Sequence, residues 1–132
     1  MLKVTKKFEY GLIAVRYIAM TSNGEVATAK EISERMGIPY ELLAKTLQRL
    51  TKAGVITSVQ GVKGGYKLSR PPKQITLGEI AEAIEGPLNL TECQATQDTC
   101  HLYSTCAIKK SLVHIQQRFQ HIFDQATVDE IL

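Results

Sequence analysis

Residues 38–68 read IPYELLAKTLQRLTKAGVITSVQGVKGGYKL. Pro39 suits the first position of a helix, where its missing N–H would have had no partner, and Gly54 suits the residue after the last turn. Between them Leu43, Leu47 and Leu50 recur at helical spacing and face inward, which leaves Tyr40, Glu41, Ala44, Lys45, Gln48, Arg49 and Lys52 outside. VITSVQ and YKLSR flank GVKGG, whose glycines permit the positive φ angles of a tight hairpin. The stretch therefore encodes a helix followed at once by a two-stranded ribbon with Lys63 near its tip.

Upstream, Phe8, Leu12, Val15, Ile18 and Ala19 follow a helical period, and TSNGE after Met20 closes a first helix. Thr28 and Glu31 have the spacing of a capping box, and Gly37 stops the short second helix that they open. Helix, helix, tight turn, helix and basic hairpin is the order of a winged helix-turn-helix, in which the third helix enters the major groove and the hairpin touches backbone or minor groove.

Charge follows the same division. Residues 1–73 carry 13 Lys or Arg against 5 Asp or Glu, whereas residues 74–132 carry 3 against 8. No acidic residue occurs from Leu42 to Gly78, a window that holds Lys45, Arg49, Lys52, Lys63, Lys67, Arg70 and Lys73. A merely solvated face interleaves both signs, so an unbroken basic stretch favours a polyanion, double-stranded DNA above all. The non-core positions of the window name the expected contacts: Tyr40, Glu41, Lys45 and Arg49 in the major groove, with Gln60 and Lys63 on the hairpin.

Past Pro71-Pro72 the character changes. Thr76 and Glu79 repeat the capping-box spacing and open a short amphipathic helix that ends at Gly86-Pro87. LTECQATQDTCHLYSTCAIKK, residues 90–110, then gathers all three cysteines, Cys93, Cys100 and Cys106, in a stretch without helical period. At 132 residues the chain buries a core without covalent staples. No apolar run is long enough for a bilayer, and Glu9 and Arg16 break the one that imitates a secretory signal, so a cytoplasmic protein with no membrane attachment is expected. In that compartment three clustered thiols indicate a metal, cluster or redox site more than a disulfide framework. Zinc on the three cysteines plus His101 or His114 lacks the short Cys-x-x-Cys knuckle, and a cluster-free thiol switch is the other alternative.

Beyond Cys106, Ile108, Leu112, Ile115, Phe119 and Ile122 form a heptad-like stripe on one long helix. Such a helix either docks on its own domain or makes a dimer seam, and a DNA reader with one recognition helix gains site length by pairing. The fold class expected is mainly α: a winged helix-turn-helix with a two-stranded β wing over residues 1–73, then a cluster-binding loop and dimerisation helix over residues 74–132. No nucleophile with its base and no convergent carboxylates mark the chain as an enzyme. An iron-sulfur electron carrier would have no use for the basic winged helix.

From TKKFEYGLIAVRYIA through the recognition helix and the GxxGGY pattern at residues 61–66 to ITLGEIAEAIEGP and the three cysteines, the chain resembles bacterial transcription regulators of the IscR, NsrR and RirA type. The resemblance implies a homodimer that binds palindromic promoter sites, controlled by an iron-sulfur cluster of two or four irons in the loop before the dimerisation helix. It also implies that a polar base reader is replaced here by Ala44 and a wing arginine by Gln60. IscR-like proteins place a histidine ligand three residues after the last cysteine, where Lys109 stands. NsrR-like proteins use a carboxylate from the first helix of the other subunit, and Glu9 occupies that place. The implied ligand set is therefore Cys93, Cys100, Cys106 and Glu9.

Overall fold

The computed structural model describes residues 3–21, 25–91 and 100–132. Among these residues five α-helices and one hairpin follow in the order α1 (Lys6–Met20), α2 (Ala29–Met36), α3 (Tyr40–Lys52), β1 (Ile56–Val59), β2 (Gly65–Leu68), α4 (Leu77–Glu85) and α5 (Lys109–Gln125). Short 3-10 turns at Pro72–Gln74 and Val128–Ile131 complete the chain. This is the winged helix-turn-helix expected from the sequence.

Local chemistry sets the helix ends. Thr5, Thr28 and Thr76 lie in extended conformation before α1, α2 and α4, and each side chain accepts the N–H of the residue three positions on. At α4 the reciprocal bond also forms, so the expected capping box is complete. At α2 only half of it forms, because the Glu31 carboxylate instead accepts the Tyr17 hydroxyl and joins α2 to α1. Pro39 stands one residue earlier than expected, as the N-cap of α3. Gly37 and Gly54 take φ of +69° and +80°, the left-handed values that end α2 and α3.

The core gathers one face of every winged-helix element and of α4. Phe8, Val15 and Ile18 of α1, Ile32 of α2, and Leu43, Leu47 and Leu50 of α3 are buried together with Ile75, Ile80 and Ile84. Val128 reaches the same core, because the chain after α5 returns to pair with the start of α4: Val128 N–H donates to Ile75 C=O at 2.9 Å and Leu77 N–H to Ala126 C=O at 2.9 Å. Thr46 is the one buried polar side chain among the described residues, and its hydroxyl is satisfied by Leu42 C=O at 2.9 Å on its own helix.

The hairpin pairs Ile56 with Leu68 and Val59 with Gly65. Of its loop glycines only Gly61 has a positive φ, +114°. Gly64 and Gly65 serve a different purpose from the one expected. A Cβ at Gly64 would lie 2.3 Å from Val59 O, and one at Gly65 would lie 2.8 Å from Ala27 O. Both glycines thus permit close backbone approach, and at Gly65 that approach is to the segment before α2. Ala27 and Tyr66 exchange two backbone hydrogen bonds, of 3.0 and 2.8 Å, which fix the wing to the helix-turn-helix.

Arg70 and Glu79 close the junction after the wing with an ion pair at 2.7 Å, and Arg70 also donates to Gln74 C=O at 2.8 Å. Burial by itself pushes the Glu79 carboxyl up, but the Arg70 guanidinium and the Thr76 amide and hydroxyl outweigh it and hold the group below its ordinary 4.5. A carboxylate depressed in the folded state adds stability above pH 4.5 and loses it as pH falls through the lowered value. Thermal midpoints between pH 7 and pH 3 should therefore fall less steeply in Glu79→Gln. The difference is modest and shrinks with salt, since both side chains are more than a third exposed. An acid limb identical to that of the unaltered protein would remove Glu79 from the account.

Candidate nucleic-acid interface and cysteine segment

The turn between α2 and α3 is held by groups that its own sequence supplies. Gly37 reverses the backbone, Ile38 is buried, Ile38 N–H donates to Ser33 C=O at 3.2 Å, and the Ser33 hydroxyl donates to Ile38 C=O at 2.6 Å. With Leu43, Leu47 and Leu50 inside, Tyr40, Glu41, Lys45, Arg49 and Lys52 are all exposed on α3. Gln60 and Lys63 are exposed on the wing, and Val62 between them is wholly open to solvent.

The basic window is not a single surface. Arg70 is engaged by Glu79, and Arg49 donates from Nη1 to Ile84 C=O at 2.8 Å. Lys45, Lys52, Lys63 and Lys67 make no ion pair among the described residues. The outward side of α3 also presents Gln48, exposed one turn beyond Lys45 on the side away from Leu43 and Leu47. It belongs with the candidate readers; its helical spacing from Glu41 and Lys45 was the available signal.

Glu9, in the first turn of α1, is half-exposed, and its only ion pair among the described residues is with the exposed Lys6 at 2.8 Å. Helix α1 packs against α3, so Glu9 is carried by the element behind the recognition helix. Cys93 lies outside the described residues. Cys100 and Cys106 are half-buried free thiols at the two ends of a run of turns. That run is ordered by Tyr103 N–H to Cys100 C=O at 3.1 Å, Thr105 N–H to Leu102 C=O at 3.0 Å, and Lys109 Nζ to Tyr103 C=O at 2.8 Å. Lys109 also lies 4.0 Å over the centre of the Tyr103 ring. The lysine at the position of the IscR-like histidine thus acts as a clasp on the cysteine turn. Among the described residues no three metal-ligating side chains converge, and His101 is exposed.

Helix α5 has no fully buried residue in the single chain. One line of it docks inward: Phe123 meets Phe8 edge to face at 6.0 Å, Asp124 lies against Gly78, and Gln116 Oε1 accepts Leu90 N–H at 3.0 Å. The expected stripe lies beside that line. Leu112 and Phe119 are half-covered, whereas Ile108, Ile115 and Ile122 are 58%, 38% and 63% exposed. Ile108 is the N-cap of α5 and not part of the helix itself. Helix α5 thus has one line docked on its own domain and, beside it, a stripe left partly open in the single chain.

Among the described residues no helix is long and apolar enough to cross a membrane. Residues 4–132 match the Rrf2 family, described as iron-dependent transcriptional regulators. Similar solved structures include CymR (YrzC), the global cysteine regulator of B. subtilis, at 25% identity over 99% of this chain and 96% of that one, with a TM-score of 0.75. IscR of T. potens is 28% identical over 98% of this chain and 85% of its own, with a TM-score of 0.74. The oxidized form of Staphylococcus aureus CymR is 26% identical over 96% and 93%, with a TM-score of 0.71.

Proposed function

We propose, from the premise that this chain belongs to the Rrf2 family of transcriptional regulators, that it is a homodimeric regulator whose cysteine segment controls its grip on palindromic promoter DNA. The observation that carries this reading is the shared exposure of Lys45 and Lys52 on α3 and Lys63 on the wing, none of them ion-paired among the described residues. Cations held ready in this way release counterions when they meet phosphates. Tyr40, Glu41, Lys45 and Gln48 are the groove-facing set, with Gln60 and Lys63 on the wing.

Cys93, Cys100, Cys106 and Glu9 of the partner subunit form the ligand set for an iron-sulfur cluster. The donor chemistry suits that group: Cys100 and Cys106 are free and partly accessible, and among the described residues Glu9 is ion-paired only with a solvated lysine. When bound, the cluster supplies iron that reacts with oxidants, nitric oxide or chelators, most readily at a corner held by oxygen. In Glu9→Ala, purified without oxygen, cluster absorption should change and its lifetime shorten. Thermal stability of the cluster-free protein should change by no more than about 0.5 kcal/mol, since Glu9 lies outside the core. Identical absorption and lifetime in the two proteins would remove Glu9 from the ligand set.

A cluster-free thiol regulator is the second reading. It is supported by the cysteine turn, which Lys109 holds through a hydrogen bond to Tyr103 C=O and a contact over the Tyr103 ring. Iron and sulfide analysis after anaerobic purification decides between the two: near-stoichiometric iron and sulfide supports the cluster, and their absence with oxidant-dependent DNA binding supports the thiols.

A further inference from the structure

Arg49 stands out among the basic residues of α3. Its Nη1–H bond to Ile84 C=O, 2.8 Å long, joins residues 35 positions apart. Ile84 is in the last turn of α4, where carbonyls lack helical partners and carry the negative end of the helix dipole. A guanidinium there satisfies an acceptor that the helix leaves open. The same corner is seated on α1 by two further contacts. Ile84 Cδ1 fills the space 2.1 Å from where a Cβ on Gly11 would stand, and the Thr5 hydroxyl, which caps α1, donates to the Glu85 carboxylate.

Three helices therefore meet at the end of α4. From this corner the chain passes through Gly86-Pro87 to Leu90, pinned by Gln116, and on into the cysteine segment. The backbone from Leu90 back to Ile84 and the Arg49 bond together connect the start of that segment to α3.

We infer that Arg49 is a positioning residue: it sets the angle of the recognition helix by gripping the end of α4, and through it the state of the cysteine segment, instead of contacting DNA. The inference rests on the DNA-binding reading above and deepens it. A phosphate contact and a strut predict different outcomes on loss of the guanidinium. A lost phosphate contact weakens binding to every sequence and lowers the slope of log K against log salt by about 0.9. A lost strut leaves phosphates and slope alone but misaims the helix, so only the preferred sequence suffers.

The test uses full-length protein and two DNA probes, a duplex enriched by the unaltered protein from a random pool and an unenriched duplex of equal length. In Arg49→Gln and Arg49→Lys, the ratio of the two affinities should fall about tenfold, as expected for one charge-assisted hydrogen bond. Binding to the unenriched duplex and the salt slope should not change. Arg49→Lys is decisive, because it keeps the charge but not the planar fork that reaches the carbonyl. Amide exchange over residues 84–91 should accelerate in both variants, and any factor by which the cysteine state changes affinity should shrink toward one. If Arg49→Lys binds like the unaltered protein while Arg49→Gln loses about 0.9 of slope with its ratio intact, Arg49 is a phosphate contact and the inference fails. If the unaltered protein shows no salt-dependent DNA binding, the functional reading fails first. Exchange over residues 84–91 then still shows whether Arg49 holds the corner, and unchanged exchange overturns it.

Discussion

Ile115→Asp is expected to leave the subunit folded and to abolish its pairing. Ile115 is 38% exposed in the single chain and lies outside the core, so the substitution removes little packing from the domain that carries it. In a twofold seam the residue appears twice. Fully burying an aliphatic side chain of this size is worth roughly 1.5 to 3 kcal/mol, so covering the 38% of each copy that is exposed contributes about 1 to 2 kcal/mol in all, a factor of about 5 to 30 in dimer dissociation. The buried carboxylates add a further penalty. Ile115 is a better probe than Leu112, which is the more covered of the two within its own subunit. Sedimentation of the variant should show monomer at low micromolar concentration, with an unchanged far-ultraviolet spectrum. A dimer at that concentration would place the seam elsewhere than Ile108, Leu112, Ile115, Phe119 and Ile122. Binding to a palindromic site should weaken with it, since one recognition helix spans only a half-site.

The second large effect concerns the two solvent-facing cations on the reading elements. Lys45→Ala with Lys63→Ala should reduce affinity for promoter DNA by about 100-fold or more, from two charge-assisted contacts of roughly 1.5 to 3 kcal/mol each. The salt slope should fall by nearly two. Neither lysine is ion-paired among the described residues or part of the core, so thermal stability should be unaffected within about 0.5 kcal/mol. A double variant with unaltered affinity and slope would show that α3 and the wing do not face DNA. The pair also calibrates Arg49, since all three carry the same charge and only Arg49 donates to the end of another helix.

What could be read from the chain alone was what short-range chemistry decides. Helix limits follow from spacing and caps: Thr28 and Thr76 before α2 and α4, Gly37 and Gly54 after α2 and α3, all within one turn of the bonds they make. The wing follows from GVKGG between two short β-prone runs, and the acid-free window marks the stretch of chain in which contacts to a polyanion are expected. Because these signals combine in one order, the family resemblance and the fold were legible together.

Tertiary structure decided which of those residues were free to act. Arg49 and Arg70 look like Lys45 and Lys63 in sequence, yet one holds Ile84 and the other Glu79. Glu31 has capping-box spacing but accepts the hydroxyl of Tyr17 from another helix. Gly65 looks like a turn glycine and instead admits the backbone of Ala27. On α5 a single apolar pattern divides into a line docked through Phe123 and a stripe left open at Ile115 and Ile122. The common physical reason is that periodicity and capping act over three or four residues, whereas the partner of a long polar side chain, or the cover of an apolar face, is set by whichever distant segment the folded core brings beside it.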